Sequence, residues 1–228
     1  NILGSKSTAI GISALETQNY ATATDAYNVA VGYIAGVNIT TGIQNTIVGA
    51  LAGDALTDAD HNVAVGMNAL TADTLGSKST AIGTGALGTQ NFTTATNVYN
   101  TAVGYDAGVA VTTGIQNTII GGIAGDALTD ADNNVAIGYS AMTTNVLGSE
   151  SVAIGTFALN SQNPSTAANM YNVAVGHNSG AAVTTGTLNT LIGGLAGDAV
   201  TTGAAHTLVG YNAGSAITTA EGIVAVGK

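Results

Sequence analysis

Two acidic strings carry the residue types that a hard metal ion prefers. The string AGDALTDAD occurs at 52–60 and again at 124–132. Its aspartates are weak candidates for a metal site: Asp54, Asp58, Asp60, Asp126, Asp130 and Asp132. Clustered carboxylate and carbonyl oxygens are typical calcium ligands. However, the third copy, at 196–204, keeps only the first aspartate, and aspartates in turns commonly accept local hydrogen bonds instead. We therefore predict no required cofactor and keep calcium as the weaker alternative.

The other polar residues form no recurring catalytic pattern. His61, His177 and His206 occupy different positions in the repeat described below, and the chain has no cysteine. The glycines recur at a structural period instead of forming a nucleotide-binding motif. A glycosidase site made of paired carboxylates from neighbouring chains is the one catalytic alternative. The sequence predicts a protein that is not an enzyme.

Charge and composition narrow the classes of partner. The chain has 228 residues, with 13 acidic residues, 3 lysines, no arginine and a net charge of −10. Binding to phosphate backbones requires clustered cations, so we predict no nucleic-acid partner. No apolar run reaches the length of about 18 residues that a membrane-spanning helix needs, so we predict no membrane insertion. The absence of cysteine fits an extracellular protein stabilised without disulfides.

A regular repeat runs along the whole chain. Thirteen glycines close strings such as AVG or AIG, and successive glycines are 21, 17, 17 and 17 residues apart, three times over. They are Gly11, Gly32, Gly49, Gly66, Gly83, Gly104, Gly121, Gly138, Gly155, Gly176, Gly193, Gly210 and Gly227. Four units thus make a super-repeat of 72 residues. We predict a single repeat domain over 1–228, with super-repeats at about 11–82, 83–154 and 155–226.

Each unit is typical of a short strand followed by a glycine turn. Asn or Ser stands four residues before nearly every glycine, and small or β-branched residues fill the gap. One such unit cannot bury a core alone, but stacked units can. The sequence therefore predicts an all-β fold: a parallel β-roll, or β-solenoid, of about thirteen units of 17–21 residues. Asparagines at equivalent positions should form a structural ladder: Asn28, Asn45, Asn62, Asn100, Asn117, Asn134, Asn172 and Asn189.

The strand pattern also predicts self-association. Side chains alternate across a strand, so Val29 and Val31 face one way and Asn28 and Ala30 the other. Both faces are small or apolar, and strands of this kind are usually buried on both sides. One face can fill the coil interior. We expect the other to pack against further copies of the chain, with tolerance of water by small side chains as the alternative.

The longer units are candidates for a ligand surface. Segments 16–27, 88–99 and 160–171 each contain Gln-Asn followed by Tyr, Phe or Pro. An excess of four residues in a stacked coil should bulge outwards and could present amide and ring surfaces to a glycan or protein. The alternative is a plain loop. The candidate contact residues are Gln18, Asn19, Tyr20, Gln90, Asn91, Phe92, Gln162, Asn163 and Pro164.

Several strings resemble the head repeats of trimeric autotransporter adhesins. They are STAIGTGAL at 79–87, SVAIGTFAL at 151–159 and NVAVGMNAL at 62–70. The string TTGIQNTIVG at 40–49 resembles repeats of tail-fibre-like surface and phage proteins. The resemblance implies a left-handed β-roll, three chains wide, within a longer fibre outside a cell or on a virion. This chain departs from the adhesin heads in its longer unit and its regular four-residue insertion.

The favoured function is that of a structural and adhesive segment of an extracellular homotrimeric fibre: a surface adhesin, a filament or a phage tail fibre. Its partners would be further copies of itself and a host-surface protein or glycan. The alternative is an extracellular filament subunit that polymerises end to end and binds no ligand. An ice-binding or calcium-binding solenoid is a weaker alternative, since the Thr-Thr pairs at 40–41, 112–113 and 184–185 leave many rungs unoccupied.

Overall fold

A computed structural model describes residues 3–228, which are all-β and contain no helix. Accordingly, no helix in this range could cross a membrane. The described residues form nineteen short parallel strands, of which thirteen are three residues long and occur once per turn. The predicted β-solenoid of about thirteen turns is therefore confirmed. Two compact units divide the chain, the first ending at Thr113 and the second beginning at Gly114.

Unit 1 contains ten strands. They are β1 (Gly4–Ser5), β2 (Thr8–Ile10), β3 (Thr24–Asp25), β4 (Val29–Val31), β5 (Thr46–Val48), β6 (Val63–Val65), β7 (Gly76–Ser77), β8 (Thr80–Ile82), β9 (Thr96–Asn97) and β10 (Thr101–Val103). The three-residue strands pair in the order β2-β4-β5-β6-β8-β10, so each strand lies beside its equivalent in the next turn. The two-residue strands form separate parallel pairs, β1 with β3 and β7 with β9.

Unit 2 contains nine strands with the same organisation. They are β11 (Thr118–Ile120), β12 (Val135–Ile137), β13 (Gly148–Ser149), β14 (Val152–Ile154), β15 (Ala168–Asn169), β16 (Val173–Val175), β17 (Thr190–Ile192), β18 (Thr207–Val209) and β19 (Val224–Val226). The three-residue strands pair in the order β11-β12-β14-β16-β17-β18-β19. The pair β13 and β15 carries the longer turn.

The interior of each turn is narrow and filled by small and aliphatic side chains. The central residue of each inner strand points inwards: Ala30, Ile47 and Ala64 are fully buried. Val29 and Val31, on either side of Ala30, are only half-buried. The predicted alternation of the strand faces is therefore present. Because each turn is too thin to bury a core alone, this interior exists only when turns stack.

The glycine that closes each strand is required by close backbone contact. Gly66 has φ +133, and a Cβ there would lie 2.5 Å from the carbonyl carbon and oxygen of Gly83 in the next turn. That φ lies in a region that is essentially restricted to glycine. The contact explains why the glycine recurs once in every turn, whatever the residues around it.

Candidate functional site

Buried asparagines of unit 1 link each turn to the next. The backbone N–H groups of Asn45, Asn62 and Ser79 donate to the side-chain Oδ1 of the asparagine one turn earlier, at 2.9, 2.9 and 2.8 Å. The Nδ2 groups of Asn28, Asn45 and Asn62 donate to carbonyl oxygens fourteen residues further on, at 2.7–2.9 Å. These side chains are fully buried. Each amide therefore satisfies one backbone donor and one backbone acceptor that water cannot reach.

Unit 2 repeats this arrangement from Asn117 onwards. Asn134 N–H donates to Asn117 Oδ1 at 3.0 Å, and Asn189 N–H donates to Asn172 Oδ1 at 3.0 Å. At the next position His206 replaces the asparagine. Its Nδ1 accepts from Ile223 N–H at 3.2 Å, while its buried Nε2 has no partner.

Glutamines from the longer turns complete the ladder where serine replaces asparagine. The three pairs are eleven residues apart: Ser7 with Gln18, Ser79 with Gln90, and Ser151 with Gln162. The glutamines are 2%, 0% and 0% exposed, respectively. Because serine is shorter than asparagine, the glutamine side chain fills the space beside it. The structure thus places these three predicted contact residues inside the coil, where a ligand could reach them only if the coil opened.

The other predicted contact residues divide between the interior and the surface. Tyr20 and Phe92 are 6% and 8% exposed, and Pro164 is also buried. The Tyr20 hydroxyl donates to the Gly42 carbonyl at 2.7 Å, and burial raises its pKa above the ordinary value. Only the asparagines of this set are exposed: Asn19, Asn91 and Asn163. The exposed stretches that follow the rings are 21–23, 93–95 and 165–167.

A polar cluster lies beside the first of these exposed stretches. Lys6 Nζ donates to Asp25 Oδ2 at 2.7 Å and to the Tyr27 hydroxyl at 3.1 Å. The hydrogen bond from Lys6 lowers the pKa of the Asp25 carboxyl. In the next super-repeat Lys78 donates to Tyr99 at 3.2 Å. The equivalents of Lys6 and Asp25 in the third super-repeat are Glu150 and Asn169, joined at 2.9 Å, so the charge beside the insertion changes along the chain.

The predicted metal ligands accept hydrogen bonds from neighbouring turns. Threonine hydroxyls donate to Asp54, Asp58 and Asp126, and backbone N–H groups donate to Asp60 and Asp132 at 2.8 and 2.7 Å. Asp130 is exposed like Asp58, and the other four are half-buried. Across residues 3–228 no group of three His, Cys, Asp or Glu side chains is arranged to hold a metal ion. A calcium site at these aspartates stays a prediction.

Threonines in consecutive turns also use their hydroxyls within the coil. Thr40 and Thr57 donate to the backbone carbonyls of Thr57 and Thr74, at 3.3 and 3.1 Å. Thr74 donates to the Phe92 carbonyl at 2.8 Å. The row is more continuous than the Thr-Thr pairs of the sequence indicate. Ice binding by this row stays a prediction.

The outer face of the sheet is apolar and incompletely covered. In unit 1, Ile82 lies on a strand with neighbours on both sides and is still 38% exposed. In unit 2, Ile154 and Ile192 are 37% and 40% exposed. Next to this face, large residues follow every second closing glycine and are more than half exposed: Tyr33, Met67, Tyr105, Tyr139 and Tyr211. This alternation of large and small residues is visible in the sequence but was not among the predicted site residues.

One fully buried carboxylate has no sequence signal that marks it. Asp73 Oδ1 accepts from the N–H groups of Gly76 and Phe92, at 3.0 and 3.1 Å. Its Oδ2 accepts from Gln90 Nε2 at 2.6 Å. Burial raises the pKa of the Asp73 carboxyl, although these hydrogen bonds act in the opposite direction. Asn145 stands at the equivalent position of the next super-repeat and makes two bonds to Gly148.

Comparison with family models, curated proteins and solved structures finds no match to this chain. The class defined by its structure is therefore that of an all-β solenoid repeat protein. Its resemblance to trimeric autotransporter adhesin heads and tail-fibre repeats stays a prediction.

Proposed function

We propose that this chain is a structural and adhesive segment of an extracellular homotrimeric fibre. The observation that supports this proposal is the apolar outer face of the parallel sheet in each unit. Parallel sheets normally have both faces covered, and exposed apolar patches commonly mark interfaces. Residues such as Ile192 remain exposed although the strands on both sides are present. Three copies that pack these faces around a common axis would cover them, in the left-handed form that the resemblance implies.

The interior of the coil supports a mechanical role. Backbone ladders join successive strands, and buried asparagines add side-chain bonds between turns within each unit. The described residues therefore resist local separation of turns by several hydrogen bonds at once. The three lysines and the absence of arginine leave few sites for trypsin-like proteases, which suits exposure outside a cell or on a virion.

The exposed stretches at 21–23, 93–95 and 165–167 support an adhesive role. They recur once per super-repeat, and a trimer would display each of them three times. Weak contacts with a host-surface protein or glycan would then add by avidity. The exposed asparagines Asn19, Asn91 and Asn163 are the predicted contact residues that a ligand could reach.

Light scattering on the purified chain tests the trimer. We expect a mass of about three chains that does not grow with concentration. Ile192→Lys, which places a charge on the outer face, should give monomers. Leu188→Lys is a matched control, because Leu188 is 57% exposed in the same turn but lies before the strand, at a position that holds Lys6 and Lys78 in other turns. This control should remain trimeric.

Other results would overturn the proposal. A monomeric wild-type chain would show that small side chains leave the outer face stable in water. A mass that grows with concentration and is unchanged by Ile192→Lys would favour end-to-end polymerisation. For the adhesive role, replacing residues 93–95 and 165–167 by Gly-Ser should abolish binding to a glycan array while the trimer mass is retained.

A further inference from the structure

Four fully buried side chains of unit 1 meet around one amide group. They are Asp73, Ser79, Gln90 and Asn100, and each has no exposed surface. Gln90 Nε2 donates to Ser79 Oγ at 3.0 Å and to Asp73 Oδ2 at 2.6 Å. Asn100 Nδ2 donates to Gln90 Oε1 at 2.9 Å. We call this set the Ser-Gln cluster.

The geometry assigns a nucleophile, an electrophile, an acid and an oxyanion donor to this cluster. We propose that Ser79 and Gln90 react within the folded chain to form an ester between Ser79 Oγ and Gln90 Cδ. The Oγ–Cδ bond forms, the Cδ–Nε2 bond breaks, and the Gln90 nitrogen leaves as ammonia. The ammonia carries away the two amide hydrogens and one further proton, which balances the loss of the Ser79 hydroxyl proton. No oxidant, reductant or cofactor is required.

Asp73 is placed to move that proton. In its acid form its carboxyl can protonate Nε2 as the C–N bond breaks, and its carboxylate then recovers the proton of the Ser79 hydroxyl. A positioned general acid of this kind accelerates reactions by about 10²–10⁴-fold. Burial raises the pKa of the Asp73 carboxyl, which increases the fraction of the acid form.

Asn100 is placed to stabilise the negative charge that develops on Gln90 Oε1. Its Nδ2 already donates to this oxygen, as the donors of an oxyanion hole do in acyl transfer. The nucleophile is also held close, because Ser79 Oγ is bonded to the nitrogen of the same amide, and a rotation of the Ser79 side chain brings Oγ towards Cδ. Such fixed proximity corresponds to effective molarities of about 10⁵–10⁸ M.

The chain contains a natural comparison that lacks the acid. At the equivalent position of the next super-repeat, Ser151 Oγ lies 3.4 Å from Gln162 Oε1, and Asn172 Nδ2 donates to the same oxygen at 2.9 Å. Asn145 replaces the aspartate there, and Gln162 Nε2 has no partner. We therefore expect no ester between Ser151 and Gln162. The first super-repeat also has asparagine, Asn1, at the corresponding sequence position.

Intact mass measurement of the purified chain tests the proposal. The wild-type chain should be lighter than its sequence mass by one ammonia, and fragmentation between residues 79 and 90 should be suppressed. Ser79→Ala and Asp73→Asn should both show the full sequence mass. Asn145→Asp should lose a second ammonia, because it supplies the missing acid beside Gln162. Circular dichroism identical to wild type would show that each variant is folded.

Hydroxylamine gives an independent readout. It cleaves esters but not amides, so treatment of the unfolded wild-type chain should convert Gln90 to a hydroxamate and remove the block to fragmentation. A wild-type chain at its full sequence mass after prolonged incubation would overturn the proposal. So would an ammonia loss that persists in Ser79→Ala, because the lost nitrogen would then come from another amide.

Discussion

The substitution Asn62→Ala tests whether the buried asparagines hold neighbouring turns together. Asn62 is fully buried between turns. Its Oδ1 accepts from Ser79 N–H at 2.8 Å, and its Nδ2 donates to the Gly76 carbonyl at 2.9 Å. Alanine removes both bonds and leaves a backbone donor and a backbone acceptor in the interior without these partners.

The expected loss of stability is large for one side chain. Each buried polar group that loses its partner costs about 1–3 kcal/mol, so the two groups together cost about 4 kcal/mol. A typical domain has a total stability of about 5–15 kcal/mol. Asn38→Ala is the control, because Asn38 is exposed and donates one bond, at 2.8 Å to the Asp54 carbonyl. Water can replace that bond, so the control should lose about 0.5 kcal/mol or less.

Hydrogen exchange at the Ser79 amide is the most direct assay, because stacked repeats need not unfold in one step. At about 1.4 kcal/mol for each factor of ten, a loss of 4 kcal/mol should speed exchange of this amide by nearly 10³-fold. Urea unfolding should show the same order of the two variants. Equal protection of Ser79 in Asn62→Ala and Asn38→Ala would refute a stabilising role for the ladder.

Two further predictions concern the closing glycines and the buried carboxylate. Gly66→Ala should cost several kcal/mol, because its Cβ would lie 2.5 Å from the Gly83 carbonyl in a backbone region that strongly disfavours side chains. Gly122→Ala should be nearly neutral, because the nearest atom, on Tyr139, is 3.7 Å away; equal melting temperatures for the two variants would contradict this. Burial raises the folded-state pKa of Asp73 above an unfolded value of about 3.9. Stability should therefore be highest below that value and fall as pH rises through the folded pKa. Asp73→Asn should remove this fall in urea titrations across pH, and an unchanged profile would exclude Asp73 as its source.

Much of the fold could be predicted because a period is a property of the sequence itself. The 17-residue spacing of glycines such as Gly49 and Gly66 sets one turn, and stacking follows because a single turn cannot bury a core. The inward position of Ala30 and the outward position of Val29 follow from strand alternation. The strand pairs then align each of these residues with its equivalent one turn later.

The candidate site could be predicted only in part, because spacing does not show which side of the coil a residue outside the strands occupies. The insertion was expected to bulge outwards, yet Gln90 turns inwards because Ser79 leaves a space beside it. Backbone conformation was equally hidden: Tyr27, Gln44 and His61 all have φ between +52 and +59, although such values are uncommon outside glycine. Contacts with adjacent turns maintain these conformations.

The sequence by itself determined the repeat, the strand positions and the overall acidity of the chain. Only the tertiary structure decided which polar residues are buried and which of them meet. Asp73 and Gln90 are 17 residues apart and become partners at 2.6 Å, because a 17-residue turn stacks equivalent positions directly on each other. Whether a polar side chain faces water or an amide of the next turn depends on the volume left by its neighbours there, and that volume is defined only once the turns are packed.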